Sequence, residues 1–110
     1  MNAERKNDLT KRAYHRVVAR ALRRAPALMD EARAIVRAQK LDHAVAGSAD
    51  EWDRLLSRPV HEVCREITRR TPAAVRLRID SPFYLTPTRA VSEAQRLRLR
   101  EIASRLASAH

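Results

Sequence analysis

Residues 62–78, EVCREITRRTPAAVRLR, decide which helical arrangement this chain adopts. Val63 and Ile67 are spaced as on one face of a helix, and Thr71-Pro72 places a capping side chain directly before a proline suited to a first helical position. The stretch therefore predicts two short helices joined by a tight turn. Its end, VRLRI (75–79), alternates as a strand does, but the chain offers this segment no partner strand, so we predict a short helix.

The sequence on both sides continues the helical pattern. We predict a first helix from about Asp8 to Arg24, a second opened by Pro26, a third from about Ala49, a fourth after Pro59 and a final helix from Thr86-Pro87 to about Ser108. The predicted start of the third helix rests on Ser48 and Glu51, which have the spacing of a capping box. The expected core consists of Trp52, Leu55, Val63, Ile67, Val75, Leu97 and Ile102.

Length and composition agree with these helices. A chain of 110 residues suits one domain with a modest core. Hydrophobic residues make up 45% of the chain, only one residue is glycine, and alanine, arginine and leucine are frequent. We therefore predict an all-α protein, with a frayed N-terminus over residues 1–7 and a single domain of five or six helices over residues 8–110.

Positive charge is concentrated near the N-terminus. The chain carries 23 basic and 13 acidic residues, a net charge of +10, and residues 1–25 alone hold eight basic and two acidic residues. A docking stripe of arginines shares the polar face of the first predicted helix: Arg12, Arg16, Arg20 and Arg23. Such a face suits an acidic partner or a phosphate backbone, although it is also what a merely solvated surface looks like.

The opening stretch also has the order of a helix-turn-helix, in which a support helix precedes a recognition helix. TRRT would form the turn and PAAV the start of the recognition helix. The residues expected to contact DNA are Arg69, Arg70, Thr71, Arg76 and Arg78, with Arg76 and Arg78 facing a groove, because arginine binds both phosphates and guanine edges. The alternative is an ordinary helical corner, since the turn lacks a glycine and the second helix is short.

Signs of catalysis and metal binding are weak. The chain has no glycine-rich phosphate loop and no nucleophile motif. His61 and Cys64 stand three residues apart, but a structural zinc needs four ligands. We therefore predict a protein that is not an enzyme and holds no metal or cofactor. Its single cysteine excludes an internal disulfide and fits a reducing cytoplasm, and no apolar run is long enough to cross a membrane.

A longer pattern runs from Trp52 to Leu85. It reads W-x-x-L-L, then P59, L77-R78 and S81-P82-F83, and the motif residues are Trp52, Leu55, Leu56, Leu77, Pro82 and Phe83. This order resembles a group of small bacterial helical proteins that serve as antitoxin-like partners in toxin operons. The resemblance implies a protein that neutralises a cognate toxin and that can also bind its own promoter, with no catalytic residues. The sequence departs from the group after Phe83.

Overall fold

The computed structural model describes residues 3–42 and 46–108, and in these ranges the chain is helical without a strand. Its elements are α1 (Ala3–Arg24), α2 (Ala27–Gln39), α3 (Ala46–Leu56), α4 (Val60–Ile67), α5 (Pro72–Ile79), a 3₁₀ turn (Pro82–Tyr84) and α6 (Glu93–Ser108). The prediction of an all-α domain with five or six helices is confirmed.

Helix α1 is the central element, with α4, α5 and α6 packed around it. Its inward side carries Val18 and Leu22, which are both fully buried, and Tyr14 and His15 extend that side toward the 3₁₀ turn. Helices α2 and α3 pack on each other at one end. Arg33 ties them together, because its Nε–H donates to the carbonyl of Leu56 at 2.9 Å.

The α4–turn–α5 corner forms as the sequence predicts. Thr71 is the N-cap of α5, and its hydroxyl oxygen accepts the N–H of Ala74 at 3.2 Å, while Pro72 occupies the first helical position. On the core side, the indole N–H of fully buried Trp52 donates to the carbonyl of Leu77 at 3.0 Å. This bond joins α3 to α5 and satisfies the one polar atom of the largest core side chain.

Two helix starts lie earlier than predicted. Helix α1 begins at Ala3 and not at Asp8, so it enters the segment that we expected to be frayed, of which Met1 and Asn2 lie outside the described residues. Helix α3 begins at Ala46, which places Ser48 and Glu51 inside the helix. The predicted capping box is therefore wrong. His43, Ala44 and Val45, which directly precede this helix, also lie outside the described residues.

The final helix starts later than predicted. Thr86 is buried, and its hydroxyl donates to the carbonyl of Thr88 at 2.9 Å, so it is used inside the preceding loop. Helix α6 is instead capped by Ser92 and Gln95. The Gln95 N–H donates to the Ser92 hydroxyl at 3.1 Å, and the Ser92 N–H donates to the Gln95 side-chain oxygen at 2.8 Å. This reciprocal pair is a capping box.

The buried side of α6 also differs from the prediction. Leu97 and Ile102, expected in the core, are 56% and 41% exposed. Ala103 is buried instead, and Leu99 packs against the core. Arg96, Arg98 and Arg100 alternate with leucines in the first half of this helix and leave it without a clear apolar face, so its rotation could not be predicted from spacing alone. The other predicted core residues are buried, except Val75, which is partly exposed.

Candidate docking groove

The six motif residues of the antitoxin-like pattern lie in the interior. Trp52, Leu55, Leu56, Pro82 and Phe83 are buried, and the Leu77 side chain packs against them. The rings of Trp52 and Phe83 meet edge to face with their centroids 5.8 Å apart, a favourable arrangement of aromatic pairs. Five of these residues are buried and Leu77 is partly exposed, so they form the scaffold and offer little surface to a partner.

The residues of the corner that we expected to contact DNA separate into two groups. Arg70, Thr71 and Arg76 are exposed. Arg69 is also exposed, but its guanidinium pairs with the Glu66 carboxylate at 3.0 Å.

Arg78 differs from all of these, because it is fully buried. Its guanidinium donates to the carbonyls of Ile67 and Arg69 at 3.2 and 2.6 Å and to the Asp8 carboxylate at 3.0 Å. The expectation that Arg78 faces a DNA groove is therefore not met in this fold. Arg78 instead binds the carbonyl of Ile67, at the end of α4 where a helix terminus leaves such groups without partners, and the carbonyl of Arg69 in the turn that follows. It thereby holds the turn against α1.

The basic docking stripe of α1 forms one wall of an open groove between α1 and α4. The groove has a volume of about 310 Å³ and is lined by Arg12, Arg16, Ala19, Arg20, Arg23, Cys64 and Thr68. Four residues of α-helix rise about 6 Å, so the four arginines follow the groove over about 16 Å. Sequence periodicity predicted this stripe, and the contact with α4 gives it a second wall.

Arg12 is held in place at one end of this groove. It is half-buried, and its Nε–H donates to the carbonyl of Thr68 at 2.9 Å. Burial lowers the pKa of Arg12, and the nearby positive charges of Arg70 and Arg16 lower it further. Arg70, from the turn, therefore lies close enough to add its charge to the groove.

The remaining arginines of the groove lack anionic partners among the described residues. Arg16, Arg20 and Arg23 are exposed, and no described carboxylate lies within 4.0 Å of their charged groups. An array of like charges is costly unless a counter-charge binds to it. The groove can therefore bind carboxylates or phosphates without first breaking an ion pair.

His15 and Ser81 make a buried polar pair that the sequence did not suggest. The Ser81 hydroxyl lies 2.8 Å from Nε2 of His15, and Nδ1 lies 2.7 Å from the carbonyl of Lys11. A carbonyl only accepts, so Nδ1 carries the proton and Nε2 accepts from Ser81. Burial lowers the pKa of His15 to about 4, which keeps the ring neutral at neutral pH.

This pair has the bond pattern of a nucleophile and its base, but its surroundings assign it to structure. His15 is fully buried and Ser81 is 2% exposed. The Ser81 oxygen also accepts the N–H of Phe83 at 3.2 Å, as the cap of the 3₁₀ turn. Ser81 is among the residues that line a small cleft of about 200 Å³, but its oxygen is already engaged in both of these bonds. The pair therefore connects α1 to the turn.

The two candidate metal ligands, His61 and Cys64, differ in their exposure to solvent. Cys64 is buried, with its thiol 3.4 Å from the carbonyl of Ala19, whereas His61 is exposed. Among residues 3–42 and 46–108, no group of three or more His, Cys, Asp or Glu side chains is placed to hold a metal ion.

In the same ranges, no helix combines the length and apolarity needed to span a bilayer.

Comparison with known proteins gives no relative from which function could be transferred: neither a family model, nor a curated protein, nor a solved structure matches this chain.

Proposed function

We propose that this chain is a non-enzymatic binding protein of the antitoxin type, which neutralises a cognate toxin by docking on its acidic surface. The observation that carries this proposal is the α1–α4 groove, where Arg16, Arg20 and Arg23 have no described anionic partner. The assignment to the antitoxin type rests on the resemblance of the Trp52-to-Phe83 pattern to that of small antitoxin-like proteins. Because those motif residues are buried, we place the docking surface on the groove.

The chemistry of the groove suits such a surface. A guanidinium group stays charged at any physiological pH and presents several N–H donors in a plane that matches a carboxylate. Charge complementarity of this kind speeds association and selects the partner. The groove is open to solvent, so the interaction is screened by salt and weakens as ionic strength rises.

The test is to co-express the chain with the product of the adjacent gene. The proposal expects that the neighbour alone slows growth, that this chain restores growth, and that the two proteins co-purify. A neighbour that is harmless and does not bind would contradict the proposal. A toxic neighbour that does not bind this chain, and whose toxicity this chain does not relieve, would contradict the proposal equally.

A second candidate function is DNA binding, which is favoured by the exposed side of the α4–turn–α5 corner. Arg70 and Arg76 are exposed there, and Arg70 adjoins the groove through Arg12. Phosphates would lie along the groove, and Arg76 would contact bases. This function does not exclude the first, because a toxin-neutralising protein can also regulate its own promoter. Mobility-shift titrations with the upstream promoter and a scrambled duplex test it.

A further inference from the structure

A second cavity opens on the opposite side of α1 from the basic groove. This cleft has a volume of about 570 Å³ and lies between α1 and α6. The residues that give it its chemistry are Lys11, Tyr14, Tyr84, Arg96, Leu99 and Arg100. Its volume is in the range of pockets that bind small molecules, which is about 300–1,000 Å³.

One wall of the cleft is aromatic and apolar. The rings of Tyr14 and Tyr84 lie with centroids 4.9 Å apart, tilted by 59°. Their hydroxyl groups are already used, because Tyr14 donates to the carbonyl of Phe83 at 3.1 Å and Tyr84 donates to that of Arg78 at 2.9 Å. The two rings are therefore fixed in place, and together with Leu99 they offer the cleft an apolar surface suited to a planar ring.

The other feature of the cleft is positive charge. Lys11, Arg96 and Arg100 line it, and none of its lining residues that the structure describes is a carboxylate. Arg96 also reaches Glu93 at 3.6 Å. Both of these side chains are largely exposed, so that pair is weak and an incoming anion can displace it. A phosphate monoester carries a charge of about −1.5 to −2 at pH 7, which the three cations can match.

We propose that this cleft binds a nucleoside phosphate, with the base against Tyr14, Tyr84 and Leu99 and the phosphate at Arg96 and Arg100. The ligand is either a free nucleotide or the phosphorylated end of a strand, since both present a planar ring beside a phosphate. The site does not depend on the groove, because residues 7, 10, 11 and 14 project from a different side of α1 than residues 12, 16, 20 and 23.

The test is calorimetric titration of the full chain with adenosine 5′-monophosphate, adenosine and inorganic phosphate. Adenosine 5′-monophosphate is expected to bind more tightly than either fragment. The variant R96A/R100A should lose at least tenfold in affinity. R98A, which changes another exposed arginine of α6 that is not among the lining residues of the cleft, should keep it. The groove variant R16E/R20E should also keep it.

A 5′-phosphorylated trinucleotide then distinguishes the two sources of the ligand. If it binds more tightly than the mononucleotide, with the same loss in R96A/R100A, the ligand is a strand end; if it binds no more tightly, the ligand is a free nucleotide. The proposal would be overturned by the absence of saturable binding of adenosine 5′-monophosphate, by inorganic phosphate binding as tightly as the nucleotide, or by R98A losing as much as R96A/R100A. Loss in R16E/R20E alone would assign the binding to the groove.

Discussion

Nη2 of Arg78 lies 3.0 Å from Oδ1 of Asp8, although the two residues are 70 positions apart in the chain. This ion pair joins α5 to the first turns of α1. Arg78 is fully buried and its Nε has no hydrogen-bond partner among the described residues, whereas Asp8 remains partly exposed to solvent. The charge inside the fold therefore depends on Asp8 and on two backbone carbonyls for its compensation.

Removing either member of this pair should destabilise the fold. Asp8→Ala leaves a buried guanidinium without its counter-charge, and Arg78→Met leaves the carbonyls of Ile67 and Arg69 without a donor. We expect each change to lower the free energy of unfolding by about 1–3 kcal/mol. Urea unfolding of the two variants measures this loss.

The matched control for this pair is Arg76→Met, on the exposed side of the same helix. It should change the free energy of unfolding by less than about 0.5 kcal/mol. Arg78→Met with an effect as small as that of Arg76→Met would show that the buried network does not hold α5 against α1.

Stability should fall when the pH is lowered from about 6.5 toward 4. Burial lowers the pKa of His15 in the folded protein to about 4, while the unfolded value is near 6.5. Protons therefore bind the unfolded chain more readily within this window, and the free energy of unfolding should be about 2 kcal/mol lower at pH 5 than at pH 7. Below the pKa that His15 has in the folded protein, the stability that its neutral ring contributes at pH 7 is fully lost.

Urea unfolding at pH 7 and pH 5 measures the effect. His15→Gln should remove most of the pH dependence, whereas His61→Gln, at an exposed position, should leave it unchanged. An unaltered pH dependence in His15→Gln would mean that other groups cause the acid sensitivity.

The cap of α6 gives a prediction about a single helix. Ser92→Ala removes the acceptor of the Gln95 N–H and should cost about 1 kcal/mol of stability. Thr88→Ala, a nearby exposed position whose described bonds use only its backbone, is the control and should cost less. Thermal unfolding followed by circular dichroism compares them. Equal losses would indicate that the Ser92 cap contributes nothing specific.

The helix starts show where local sequence is sufficient and where it is not. Thr71-Pro72 was predictable, because a capping side chain and a first-turn proline act within four residues. Thr86-Pro87 carries the same local signal, yet α6 begins at Glu93. The Thr86 hydroxyl donates to the carbonyls of Phe83, in the 3₁₀ turn, and Thr88. The loop is also tied to α2 by the bond from the Thr88 N–H to Glu31 at 2.8 Å. These contacts depend on the tertiary fold.

The candidate sites also differ in how much of them the sequence alone could predict. Periodicity placed the arginines of α1 on one face, and the structure shows that face along the α1–α4 groove. No spacing rule could indicate that Arg78 is buried, since arginine is almost always exposed unless it is paired and its partner Asp8 is distant in sequence. The α1–α6 cleft was also beyond prediction, because it depends on how α6 is rotated about its axis.

The DNA-binding alternative predicts a separation between two sets of variants. Arg76→Ala should weaken binding to the promoter by about 1–3 kcal/mol and relax its sequence preference. Arg16→Ala and Arg20→Ala should weaken binding to promoter and scrambled duplex alike, and should make binding less sensitive to salt, because each phosphate contact adds about 0.9 to the salt slope. Mobility shifts at two salt concentrations test this. If every variant bound both duplexes equally weakly, the corner would be only a basic surface, and the DNA-binding alternative would be wrong.

The most direct test of the proposed function reverses charge in the groove and compares the effect with an equal change of charge elsewhere. R16E/R20E places two carboxylates in the groove, and R37E/R98E makes the same change of charge at two exposed positions elsewhere. Each variant is co-expressed with the product of the adjacent gene, and growth is measured beside co-purification. We predict that R37E/R98E restores growth and binds as the wild type does, while R16E/R20E does neither although it remains folded by circular dichroism. Equal rescue by both variants would contradict the assignment of the α1–α4 groove as the docking surface.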